Sequence, residues 1–199
     1  MAAPHEIIAA PYTVYLARTG TAFPRVDAGE ETFVRAELWF KLGTSGVKNY
    51  DDAGVTVSHP QSMELFRGAG ATAPRKAFRT EEDFLIALTL VDLSPGMYAK
   101  ILNDARITTV AAAERVAGEQ SFEILRGLNV THFALLARGM SPIDNELTAQ
   151  YECPACIEDG SPAVNLTKGR PASLEAQFRA IDAAATGVGT LRVQSAVAR

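Results

Sequence analysis

The feature that most limits the fold of this chain is a hydrophobic pattern of period two, which recurs along most of its length. Residues 11–17 show it first, where Tyr12, Val14 and Leu16 alternate with the residues between them. Successive side chains of a β-strand point to opposite faces of a sheet, so this alternation predicts strands. Because no strand–helix–strand alternation accompanies it, the sequence predicts a mainly β, antiparallel (α+β) domain.

Similar patterns predict further strands at residues 34–42, 105–110, 122–125, 130–137, 147–153, 163–167 and 190–197. Residues 84–93 are apolar on both faces, so we expect this strand near the centre of a sheet. One short helix is predicted to follow it, with Ser94 as N-cap, Pro95 at the first helical position and Asn103 at the end. Residues 173–184 fit a strand and a helix equally well on their own composition.

Length and composition predict one globular domain. The 199 residues are 47% hydrophobic and 21% charged, which is enough for a core without a metal or disulfide staple. The net charge of −4 argues against a surface that grips nucleic acid. No apolar run approaches the ~18 residues that cross a bilayer, and the first residues lack the pattern of a secretory signal, so we expect synthesis in the cytosol.

Residues 43–81 are polar and rich in turn residues, with only 55–57 and 63–66 resembling short strands. A long segment of this kind inside a compact domain is usually functional. We therefore expect an arm that projects from the domain, although a solvated loop without a role accounts for the pattern equally well. The patch at 68–74 should be its most flexible part, and the basic residues beside this patch are Arg67, Arg75, Lys76 and Arg79.

Cys153 and Cys156 form the only motif of a kind that carries chemistry. A structural zinc site needs four ligands, and the remaining candidates, the three histidines, are scattered along the chain. A redox pair would begin a helix, whereas this one ends an alternating β pattern. Two unreactive thiols at a kinked strand end are the favoured interpretation, with zinc or redox chemistry as the alternative.

A catalytic centre is not apparent in the sequence. The nucleophile, phosphate-binding and metalloprotease motifs are absent, and the acidic groups at 51–52 and 81–83 lie in polar sequence typical of solvated charges. His132 is interpreted as a histidine of an apolar strand. We therefore expect a protein that is not an enzyme and needs no cofactor.

The order of segments along the chain resembles the major tail tube protein of long-tailed, siphovirus-like bacteriophages. The residues that carry this resemblance are 39–43, 52–57 and 74–79, the strand and helix over 83–103, and the later segments 133–139, 147–153, 165–172 and 174–180. It covers roughly residues 12–193. The paired thiols at 153 and 156 depart from the family pattern.

The resemblance implies a β-sandwich or barrel flanked by one helix and assembled into sixfold rings that stack into a hollow tail tube. DNA would pass through the tube without specific binding. The implied partners are further copies of the chain, the tape measure protein, the tail terminator and the baseplate or distal tail proteins. The implied location is the virion tail, after assembly in the cytoplasm of the host bacterium. It also implies a strand rather than a helix at 173–184.

In the same interpretation residues 1–10 and 195–199 are terminal arms, and 43–81 is the loop that reaches neighbouring subunits. Gln150 and Glu152, on the polar face of their strand, are predicted to line the lumen. The predicted assembly residues of the loop are Tyr50, Asp51, Asp52, Phe66, Arg67, Arg75, Lys76 and Arg79. The alternatives are another tail component, such as a terminator or connector, and a small β-rich binding or redox module that uses the two cysteines.

Overall fold

A computed structural model describes residues 11–34, 38–70, 72–140, 147–169, 171–182 and 187–194. The predicted mainly β, antiparallel fold is confirmed. A nine-stranded sheet has the path β2–β1–β9–β10–β12–β6–β3, and β11 and β13 pair with β12 and β10. The strands of this sheet are β1 (Thr13–Arg18), β2 (Phe40–Lys41), β3 (Tyr50–Ser58), β6 (Leu85–Leu90), β9 (Phe133–Met140), β10 (Thr148–Glu158), β11 (Val164–Asn165), β12 (Ser173–Ala180) and β13 (Thr190–Val193).

Two short hairpins stand apart from this sheet. One pairs β4 (Gln61–Phe66) with β5 (Lys76–Glu82), and the other pairs β7 (Thr108–Val110) with β8 (Glu119–Ser121). The described residues also include two α-helices, α1 (Glu30–Val34) and α2 (Pro95–Ile101), and a 3-10 turn at Gly46–Asn49. None of the helices in the described ranges has the length and apolar character needed to cross a membrane.

Strand β10 joins the two halves of the large sheet. Its first half pairs with β13 on the side away from β9, and its second half pairs with β12. The register with β9 shifts between Cys153 and Cys156, and Pro154 lies in this bulge, where a residue without an N–H costs no ladder bond. Cys153 before the bulge and Cys156 after it both face the main core. This core also includes Leu16 of β1, Leu88 of β6 and Phe178 of β12.

A second, smaller core covers the opposite face of β1 and β9. Tyr15 and Leu136 pack there with Phe33 of α1 and with Trp39, all of them buried. The tilted ring contact between Phe23 and Trp39, 5.3 Å between centroids, fixes the segment 19–29, here called the strap, over the same face. The central strands β1 and β9 are therefore covered on both faces.

A strand buried on both faces was predicted at 84–93. The strand is present as β6, but the prediction that both of its faces are buried is wrong. Strand β6 alternates between buried and half-buried positions, because its outer face carries no second layer. The predicted strand at 34–42 is also largely wrong, since Val34 ends α1 and, of the residues described in this range, only Phe40 and Lys41 form a strand. Glu30 and Glu31 in the first turn suit the positive end of a helix. The domain is thus flanked by two described α-helices, not one.

Other predictions for single elements are confirmed. Helix α2 begins where Ser94 accepts a hydrogen bond from the Met97 N–H at 3.3 Å, and Asn103 follows its end with a positive φ of 63°. Residues 173–180 form a strand, as the resemblance implied. In contrast, residues 122–125 are not in a strand, and His132 is exposed just before β9.

The segment 43–81 is far more ordered than predicted. Strand β3 belongs to the large sheet, and the remainder is mostly the β4–β5 hairpin. The two predicted short pieces, 55–57 and 63–66, lie within β3 and β4. The predicted arms at 1–10 and 195–199 fall outside the described residues.

Candidate assembly surfaces

The β4–β5 hairpin is exposed along both strands. Every residue of β4 and β5 is exposed, and within the described ranges these strands pair only with each other. Polar contacts fasten the base of the hairpin. Ser62 Oγ donates to Glu81 Oε2 at 2.9 Å, and Arg79 donates to Gln61 Oε1 at 3.0 Å and to Glu82 Oε2 at 3.1 Å.

Apolar side chains lie on both faces of the hairpin towards its tip. Residues that pair directly share a face, so Phe66 and Phe78 lie on one face and Met63 and Leu65 on the other. These four side chains are between 44% and 58% exposed. A two-stranded hairpin is only marginally stable in water, and this one has no described layer on either face. Its apolar surface is therefore available to another molecule.

A second exposed surface is the segment 104–132, which contains β7 and β8. Its exposed apolar residues include Leu128, fully exposed, and Ile124 at 72%. Asn103 holds the end of the segment, with its amide nitrogen donating to the Arg126 carbonyl at 2.6 Å and its amide oxygen accepting from the Thr131 N–H at 2.6 Å. Sequence analysis missed this surface, although the run of apolar residues from 122 to 130 without strict alternation was a signal.

The structure brings together most of the predicted assembly residues. Phe66, Arg67, Arg75, Lys76 and Arg79 all lie exposed on the β4–β5 hairpin. The Lys76 Nζ stands 5.0 Å from the centre of the Phe78 ring, and the Arg75 N–H donates to the Phe66 carbonyl at 2.8 Å. These contacts close the hairpin while the cationic groups remain exposed.

Tyr50, Asp51 and Asp52 lie elsewhere, at the start of β3. Tyr50 is buried in the main core, so the expectation that its side chain belongs to a projecting loop is wrong. Its hydroxyl accepts from the Val14 N–H and donates to the Leu42 carbonyl, each at 2.9 Å. Asp52 is exposed, whereas Asp51 is half-buried with its Oδ1 shielded and unpartnered in the described part of the chain.

Gln150 and Glu152 do not point to solvent, which corrects the prediction of a polar outer face. They are 0% and 3% exposed, with the strap over this face of β10 and the Arg192 side chain of the neighbouring strand β13 against Glu152. Gln150 Nε2 donates to the Pro24 carbonyl at 3.0 Å and to Glu152 Oε1 at 2.6 Å, and Arg192 lies 2.9 Å from the same carboxylate. Side chains covered in this way do not present their polar groups to a channel.

The two cysteines are buried and free. Cys153 donates to the Ala155 and Val188 carbonyls at 3.2 and 3.3 Å. Cys156 is hydrogen-bonded to Cys153, and this bond, together with burial, raises the pKa of the Cys156 thiol well above the ordinary value. The same hydrogen bond lowers the pKa of the Cys153 thiol, so burial alone separates both thiols from reagents. Nowhere in the described ranges do three or more His, Cys, Asp or Glu side chains gather as a metal site requires.

Comparisons with known proteins identify no family. No family model matches the chain, and no curated protein matches it. A solved structure that the chain matches is a chain of the anti-feeding prophage baseplate, determined by cryo-electron microscopy with sixfold symmetry applied. The two are 10% identical, the match covers 98% of this chain and 95% of the other, and the TM-score is 0.48.

Proposed function

We propose that this chain is a structural subunit of a phage-tail-like virion, and that its copies assemble into sixfold rings that stack into a hollow tail tube. The observation that carries the proposal is the β4–β5 hairpin, whose two faces are both apolar near the tip and both exposed. The role is structural rather than catalytic, and DNA is the cargo of the tube.

Exposed apolar surface of this kind favours association. Single exposed apolar residues are normal on a monomer, but clustered ones mark interaction sites. Four exposed apolar side chains lie on the hairpin, and a second set lies on the segment 104–132. The chain therefore has two exposed apolar surfaces that neighbouring subunits could cover. Covering these surfaces removes apolar area from water, which stabilises an assembly by roughly 25 cal/mol per Å² of buried area.

The order of segments along the chain supports one form of assembly, a stack of rings. The resemblance to tail tube proteins, carried by residues 39–43, 52–57, 74–79, 83–103 and the later segments, implies rings built from copies of one chain. A head-to-tail interface that closes gives a ring, and stacking along the axis gives a tube. A net charge of −4 suits a conduit that lets phosphates slide. The tape measure protein, tail terminator and baseplate proteins are the further partners of this proposal.

The test is self-assembly of the purified full-length chain. We expect rings or tubes in negative-stain electron microscopy, and assemblies much larger than a monomer in sedimentation velocity. A Phe66→Ser, Phe78→Ser double variant should fold, as judged by circular dichroism, yet assemble poorly. Leu128→Ser tests the segment 104–132 separately and should also weaken assembly. Monomers alone, across salt and protein concentrations, would contradict the tube assignment.

A further inference from the structure

An acidic cleft opens on the outer face of β3, β6 and β12. Its volume is about 410 Å³, and its floor includes Thr89 of β6 and Glu175 and Gln177 of β12. The register of β3 against β6 shifts between Tyr50 and Val55, so residues 51–54 bulge and form one wall. The turn 159–161 after β10 forms the opposite wall.

Negative charge is in excess in and around this cleft. Asp51, Asp159 and Glu175 line it. Asp159 Oδ2 accepts a hydrogen bond from Arg179 at 2.7 Å. The same guanidinium also donates to Asp83 Oδ2 at 2.6 Å, so two carboxylates share one cation. Among the described residues neither Asp51 nor Glu175 has an ion-pair partner.

The shielded Asp51 Oδ1 adds an unmet hydrogen-bond requirement at the wall of the cleft. Shielding this oxygen raises the electrostatic cost of the Asp51 charge, and a cation in the cleft beside the carboxylate would lower that cost. The cleft therefore suits a cationic side chain better than a neutral one.

The chain itself carries a segment of complementary charge, the tip of the β4–β5 hairpin. Residues 65–77 contain Arg67, Arg75 and Lys76 and no carboxylate. All three side chains are exposed. The carboxylates of the hairpin, Glu64 and those at 81–82, lie outside this stretch, so positive charge is concentrated at the tip.

The tip and the cleft lie at opposite ends of the same strand ladder. Strand β3 runs from the cleft wall at 51–54 to Ser58, where it pairs with Leu85, and the hairpin begins beyond that end. The six residues of β4 carry the tip about 20 Å further at ~3.3 Å per residue. No described residue of β4, β5 or the turn between them lines the cleft, so the tip does not fill the cleft of its own chain.

We propose that the basic tip of the β4–β5 hairpin of one copy docks in the acidic cleft of a second copy. Such an interface is heterologous, with different surfaces on the two partners, and it propagates into a ring or a stack. This inference rests on the proposed function and adds the receiving surface to it. Charge complementarity between Arg75 and its neighbours on the tip and Glu175 in the cleft selects the register of docking.

A charge-swap experiment on the full-length chain tests this docking. Glu175→Lys in the cleft and Arg75→Glu at the tip should each weaken self-association at least tenfold in sedimentation velocity at 50 mM salt, since each puts like charges together. The double variant should recover association to within about threefold of the unaltered chain. Raising the salt to 500 mM should weaken the unaltered chain as well.

The matched control is Glu31→Lys, which makes the same charge change in the exposed first turn of α1, outside the hairpin, the cleft and the segment 104–132, and should leave association unchanged. Thermal midpoints of all variants establish that each is folded. Single variants that behave like the control, a double variant that does not recover, or a chain that stays monomeric overturn the docking. Tubes that form regardless of the swaps overturn this inference but leave the proposed function intact. Association that depends on these charges but gives neither rings nor tubes supports the docking and contradicts the proposed function.

Discussion

Tyr50 closes the gap between the two ends of the large sheet. Strand β3 is at one end of the strand order and β2 at the other, and no ladder joins them among the described residues. The Tyr50 hydroxyl lies between the Val14 N–H and the Leu42 carbonyl and bonds to both. A single side chain thus satisfies two buried backbone groups of β1 and the residue after β2.

Replacing this hydroxyl should therefore cost stability rather than assembly. Tyr50→Phe leaves one buried donor and one buried acceptor unpaired, so we expect the free energy of unfolding to fall by about 1–3 kcal/mol. Chemical denaturation measures this change. Tyr98→Phe is the control, because the Tyr98 ring packs on Phe122 but its hydroxyl has no described hydrogen bond. Equal stability of the two variants would contradict the bridging role of Tyr50.

The cysteine pair makes a second prediction about single residues. Both thiols are buried, so neither should react with a thiol reagent while the chain is folded. We expect labelling at pH 8 to be on the order of 100-fold slower in the native protein than in denaturant. Fast labelling of one thiol in the native protein would revive the redox alternative.

Strand β6 shows what a pattern can and cannot predict about an element. The apolar run at 84–93 correctly predicts a strand but not its place, because only tertiary packing decides which strands receive a second layer. Leu88 faces the core at 4% exposure, whereas Thr89 lies on the floor of the cleft. The strap and α1 cover β1 and β9 instead.

Substitutions on the two faces of β6 should differ accordingly. Leu88→Ala creates a cavity in the main core and should lower the free energy of unfolding by about 2–5 kcal/mol. Thr89→Ala, one residue away on the outer face, should change it by less than about 1 kcal/mol. Chemical denaturation of both variants gives the comparison, and equal losses would mean that β6 is covered on both sides.

The hairpin and the covered polar face of β10 mark the limit of inference from the sequence. The polar residues between 61 and 82 suggest a loop, because β4 and β5 have no buried face and are stabilised by cross-strand pairs that alternation does not reveal. The residues of its basic tip could still be named from composition. The burial of Gln150 and Glu152 depends on the strap, more than 120 residues away in sequence, and alternation alone assigns them to the wrong environment.

The molecule as a whole should lose stability in alkaline solution. Burial raises the pKa of Tyr12 to about 12, and it raises the pKa values of Tyr15 and Tyr50 further still. The folded chain therefore keeps protons that the unfolded chain releases above its ordinary tyrosine pKa of about 10. Stability is fully present below that pH and is lost as pH rises through the folded values.

Between pH 9 and 11 we expect the free energy of unfolding to fall by at least about 2 kcal/mol, since each titrating group contributes up to ~1.4 kcal/mol per pH unit. Urea denaturation over this range measures it. Tyr15→Phe removes one of these groups, so its curve should be flatter, and an identical slope would contradict the assignment to buried tyrosines.

Folding and assembly should separate when the end of the hairpin is removed. Deleting residues 68–73 takes away the turn between β4 and β5, which makes no ladder with the large sheet in the described ranges. The main core therefore remains, and the thermal midpoint should change by no more than a few degrees, which corresponds to about 1 kcal/mol or less. Tube growth seen by negative-stain microscopy should fail, because the deletion shortens the segment that presents the apolar and basic side chains to a neighbour. Global unfolding in circular dichroism would instead place the hairpin within the stability of the monomer, and undiminished tube growth would remove it from the interface.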